Sequence, residues 1–124
     1  MTKKIDYVET SWFKKDFKKL LKRYRTLKDD FQVVKRDVIY LYHIKEVDNR
    51  SVFLIPKFCS EEMLVCKITK FACKALKGRG AKSGLRVIYA FDVESLKVEF
   101  IEMYFKGDKE NEDKEKIKIF LNSR

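Results

Sequence analysis

Midway along this chain the apolar residues change their period, and that change restricts the fold more than any other feature. Between residues 12 and 24 the apolar positions are Trp12, Phe13, Phe17, Leu20, Leu21 and Tyr24, spaced by three and four. That spacing makes one helical face, with Lys14, Lys15, Lys18, Lys19, Lys22 and Arg23 on the other. Thr10 or Ser11 offers an N-cap hydroxyl. A second helix is expected from about Thr26, with Asp29 and Asp30 in its first turn and Leu27, Phe31, Val34, Val38, Leu41 and Ile44 inward. A tight turn at 25–26 makes the two helices antiparallel neighbours.

Beyond residue 60 the apolar residues alternate instead, as strands require. Strands are expected over 61–71, 85–91 and 96–105, the last two joined by a hairpin over 92–95. A short strand over 5–9 precedes the helices, and a charged C-terminal helix over 110–121 follows the strands. The stretch 47–60, which holds the only proline, Pro56, reads as a connection. The stretch 76–84 holds three of the four glycines and reads as a loop. The order β-α-α-β-β-β-α implies an α+β fold in a single domain over 1–124. Its N-terminal strand and helix hairpin pack on an antiparallel sheet of about four strands, with a C-terminal helix.

Charge narrows the function. Lys and Arg number 29 against 19 Asp and Glu, a formal net charge of +10. A body this small with that excess attracts nucleic acid, acidic proteins or anionic surfaces. Hydrophobic residues make up 45% of the chain, so the charge does not prevent a packed core. The N-terminal residues lack the apolar run of a signal peptide, and no window approaches the roughly 18 apolar residues of a membrane span. A soluble, cytoplasmic protein with no membrane partner is expected. Cys59, Cys66 and Cys73 form no CxxC pair and read as core thiols, and the single His43 sits among apolar residues as a packed histidine. Neither a metal nor a cofactor is expected. One histidine also cannot serve as both acid and base of a ribonuclease pair.

Cations inside strands are the notable positions. Arg86 shares a strand face with Ile88 and Ala90, and Lys67 shares one with Thr69. A charged group among apolar neighbours costs free energy unless it is paired or aimed at an anion. Arg86 therefore either pairs with a carboxylate such as Glu99 or Glu102, or binds phosphate through its planar fork. Lys77, Arg79 and Lys82 lie among glycines, without the spacing of a phosphate-binding P-loop. They form either a solvated hairpin or a loop that wraps a nucleic-acid backbone, and Lys70 and Lys74 precede them as further candidate RNA-binding cations. The lysines of the first helix are either a solvated face or a contact surface.

Three segments together resemble the RelE/ParE-like toxin superfamily of type II toxin–antitoxin modules. They are F-K-K-D-F-K-K-L at 13–20, K-S-G-L-R-V-I-Y at 82–89 and I-E-M-Y-F-K-G-D-K at 101–109. The second is similar to that family's S-G-x-R strand and the third to its last strand with a basic end. The resemblance spans roughly residues 5–121. It implies a toxin of the RelE/HigB kind, a ribosome-dependent endoribonuclease that cuts mRNA and is neutralised by an antitoxin with an acidic binding segment. It implies Arg86 as the phosphate-stabilising arginine, and Lys67 and Lys106 as further catalytic cations. The family's C-terminal tyrosine has no match after the last strand, where Lys109 or Glu112 is the stand-in and Tyr104 lies earlier. A gyrase-directed role like that of the ParE branch and a non-catalytic RNA-binding domain are the alternatives.

Overall fold

The computed structural model describes residues 3–48, 50–75 and 83–124. The first strand, β1 (Asp6–Glu9), ends at Thr10, whose extended backbone and side-chain oxygen accept the chain into α1 (Ser11–Arg23). The Thr10 hydroxyl oxygen accepts from the Phe13 N–H, an N-cap worth about 1 kcal/mol. Phe13 and Leu20 are buried, while the four lysines between them are exposed, as the three-and-four spacing requires.

The second helical run covers 27–43 and is not uniform. α2 (Leu27–Val34) passes into a π-helical turn (Lys35–Ile39) and then α3 (Tyr40–His43). The wider turn advances the inner face by one residue, so Ile39 is fully buried and Val38 only partly. His43 is packed: its Nε2 lies 2.8 Å from the Tyr89 hydroxyl and its ring stacks on Phe91. Cys66 and Cys73 are buried, Cys59 is half-buried, and all three are free thiols.

The sheet has five strands and is mixed, which corrects the expectation of about four antiparallel ones. β2 (Val52–Leu54), β3 (Met63–Ile68), β4 (Leu85–Asp92) and β5 (Lys97–Phe105) join β1 in the order β1-β5-β4-β3-β2. β1 runs parallel to β5, from Asp6 opposite Lys97 to Glu9 opposite Phe100. It leaves into a helix, not a hairpin, and so enters the sheet in the same sense as the last strand. β2 lies inside the stretch read as a connection. It is a three-residue edge strand with only Val52 buried, and Pro56 ends it by opening a short 3₁₀ turn (Pro56–Phe58).

Both faces of the sheet are covered. Phe13, Leu27, Phe31 and Ile39 of the helices pack on Val87, Tyr89 and Phe100. On the other face α4 (Lys114–Asn122) lays Ile117 and Phe120 over Val65, Ile88, Ala90 and Ile101. Asp113 starts this helix by accepting from the N–H groups of Glu115 and Lys116, later than the expected residue 110. Among the described residues no helix is long and apolar enough to cross a membrane.

Candidate anion-binding site

A β-bulge builds the site. Tyr89 stands opposite Phe100 and Ile88 opposite Glu102, which leaves Ile101 as an extra residue on β5. Before the bulge Val98 and Phe100 face the helix pair; after it Met103 does. Glu102 and Tyr104 are thereby turned to the α4 face, where strict alternation from Phe100 would have put them among the helices. Tyr104 lands directly across the ladder from Arg86. In the next row Lys67 stands opposite Ile88, and Ile88 opposite Glu102.

Arg86 is half-buried and holds its strand position through the backbone: Nη1 donates to Thr69 O at 2.9 Å and Leu85 O at 3.2 Å. It pairs with neither carboxylate considered for it. Glu99 is engaged by Arg124 and Lys97, and Glu102 by Lys109 and, at 3.9 Å, by Lys116. Among the described residues the other guanidinium nitrogens of Arg86 have no hydrogen-bond partner.

Tyr104 is 6% exposed, and its hydroxyl is buried with no hydrogen-bond partner among the described residues. An unpaired buried hydroxyl costs about 1–3 kcal/mol, so a polar group brought within its reach would stabilise it. Burial pushes the Tyr104 hydroxyl above its ordinary pKa, and the nearby Lys67 ammonium offsets part of that rise. Lys67 approaches Tyr104 without closing a hydrogen bond to it and is itself ion-paired with Glu112 at 2.9 Å. Burial draws Lys67 down, but Glu112 and Tyr104 outweigh it and leave the ammonium above its usual pKa. Glu112 is raised by burial and lowered further by Lys67, ending below its ordinary pKa. On the far side Lys109 folds back over the Tyr104 ring, with Nζ 5.4 Å from the centroid, while bonded to Glu102.

The structure thus brings Lys67, Arg86 and Lys109 together around Tyr104. Lys106 is exposed at the end of β5, where its N–H donates to Gly84 O at 2.8 Å, two residues before Arg86. Lys70 and Lys74 line a separate cavity of about 260 Å³ against Asp30 and Val34 of α2. The Lys74 N–H donates to Asp30 at 3.0 Å. Lys77, Arg79 and Lys82 lie outside the described residues. Tyr104 is the functional candidate that sequence reasoning passed over. Its only sequence signal is the adjacent apolar pair Phe100–Ile101, which breaks the alternation of β5.

The chain matches no family model, no curated protein and no solved structure.

Proposed function

We propose that this protein is an RNA-cleaving toxin, a ribosome-dependent endoribonuclease that cuts mRNA and is held inactive by an antitoxin with an acidic binding segment. One observation carries the reading. Arg86, with no carboxylate partner among the described residues, stands across the ladder from Tyr104, whose buried hydroxyl has no hydrogen-bond partner among them, and Lys67 and Lys109 lie close to Tyr104.

In that reading the free edge of the Arg86 guanidinium binds the non-bridging phosphate oxygens bidentately. The charge that develops on them during attack is stabilised by Arg86, Lys67 and Lys109, already in place before the reaction. Glu112 and Glu102 hold the two lysines in position through ion pairs. The orphaned Tyr104 hydroxyl is the group best placed to give a proton to the leaving 5′ oxygen. A net charge of +10 draws both RNA and an acidic antitoxin segment to the protein.

Tightly controlled induction in a bacterial host, with mRNA 5′ ends mapped minutes later, tests the proposal. New cuts within translated codons, absent for Arg86→Ala, are expected. Growth arrest with intact mRNA would instead indicate a protein target such as gyrase. Normal growth with abundant folded protein would leave a basic binding domain.

A further inference from the structure

We propose that Asp16 is the proton acceptor of this site, taking the proton from the 2′-hydroxyl of the ribose that precedes the phosphate held by Arg86. This rests on the ribonuclease reading and supplies the base that the lysines, arginine and tyrosine do not.

The inference starts from an unclosed sheet edge. β1 pairs with β5 only as far as Phe100. Beyond it α1 takes over that edge: the Thr10 hydroxyl donates to Ile101 O at 3.3 Å, and the Met103 N–H donates to Asp16 Oδ2 at 3.1 Å. A helix lies against an edge less closely than a strand does, and a cavity of about 370 Å³ remains there. Asp16, Lys19, Arg23, Tyr104, Phe105 and Lys109 are among its lining residues. Its size suits a nucleotide-scale ligand. Tyr104 and Lys109 thus belong both to this cavity and to the Arg86 cluster.

Asp16 is the carboxylate left available. Glu102 is bonded to Lys109 and accepts the Asp113 N–H at 2.9 Å; Glu112 is paired with Lys67; Asp108 is paired with Arg23. Asp16 has no ion pair within 4 Å among the described residues, although it is the only acidic residue in α1, set among five lysines and Arg23. Three charged groups act on it from elements packed around it: Lys116 of α4, Glu102 of β5, and Lys109 of the segment after β5. Burial raises its pKa, and the Met103 amide and both lysines draw it partly back. A carboxylate whose pKa is raised above its ordinary value is better matched to proton abstraction near neutral pH. Holding the Met103 N–H alone would not require a charge, since an amide oxygen does the same.

The step balances. Asp16 takes the 2′-hydroxyl proton, the 2′ oxygen bonds to phosphorus, and the bond from phosphorus to the 5′ oxygen breaks. That oxygen takes a proton from the Tyr104 hydroxyl, giving a 2′,3′-cyclic phosphate and a 5′-hydroxyl end. Solvent returns the proton from Asp16 to the tyrosinate beside Lys67.

The test is the rate of mRNA cleavage against pH on translating ribosomes, for purified wild type, Asp16→Asn and Asp16→Glu. Asp16→Asn keeps an oxygen for the Met103 N–H. It is expected to unfold at the wild-type temperature and bind ribosomes normally, yet cleave about 100-fold more slowly, with the acidic limb of the profile gone. Asp16→Glu is expected to cleave with a displaced limb, and it decides the matter if Asp16→Asn does not fold. Cleavage by Asp16→Asn within a few-fold of wild type, or an unmoved limb in Asp16→Glu, would overturn the role of Asp16 and leave the ribonuclease reading standing. Absence of cleavage by wild type would overturn both.

Discussion

At Arg86, stability and the proposed activity are expected to separate. Its Nη1 holds two backbone carbonyls, and its remaining nitrogens hold nothing among the described residues. Arg86→Ala is therefore expected to cost only about 1–3 kcal/mol in chemical denaturation, the range for hydrogen bonds from a charged donor, while abolishing cleavage. Arg86→Lys keeps the charge but loses the fork, and is expected to lose most of the activity as well. His43 gives a different kind of prediction. Burial pulls its pKa from 6.5 down to about 4, so the unfolded chain takes up the proton first as pH falls. Stability from the neutral ring is present above pH 6.5 and is lost progressively down to about pH 4, amounting to about 3 kcal/mol at the limit. Unfolding temperatures across that window should fall more steeply for wild type than for His43→Gln; parallel curves would show that His43 does not couple folding to pH. Arg86 was legible in the sequence because a cation among apolar strand residues calls for an anion. Tyr104 was not, because a single bulge after Phe100 decides which face it occupies.

The elements were legible where burial imposed a clear period. α1, β4 and β5 follow their patterns to within a residue or two at each end. β2 was hidden because only one of its three residues is buried. The π turn was hidden because Val38 and Ile39 are adjacent and apolar, so the pattern fits with or without the extra residue. Two devices at this scale carry predictions. Phe120 anchors α4 on the sheet and is 5% exposed, so Phe120→Ala should cost about 3–5 kcal/mol and expose the face that carries Lys67 and Tyr104. An unchanged unfolding midpoint would mean that α4 does not hold that face. Gly84 adopts φ +89°, and a Cβ there would lie 2.9 Å from the Phe105 ring, which also lines the Asp16 cavity. Gly84→Ala should therefore cost about 1–3 kcal/mol through backbone strain alone. Calorimetry on the purified variant measures it.

For the whole molecule, charge is expected to set how it meets the proposed RNA target. The α1 lysines Lys14, Lys15, Lys18 and Lys22 are exposed, and none is ion-paired among the described residues. They lie on the helix that also contributes Asp16, Lys19 and Arg23 to the cavity beside Tyr104. RNA affinity should fall linearly in log–log with salt, by about 0.7 per phosphate contact on a single strand. A salt-independent affinity would remove the electrostatic basis of the account. The central claim is that the Arg86–Tyr104 pair, with its flanking lysines, cleaves RNA. The most direct measurement is a reconstituted translation reaction on a defined mRNA, with ends read by primer extension for wild type, Arg86→Ala and Tyr104→Phe. The account predicts cuts by wild type on ribosome-bound mRNA, none by Arg86→Ala, and strongly slowed cuts by Tyr104→Phe with the same positions. Equal cleavage by all three proteins, or none by wild type, would contradict it.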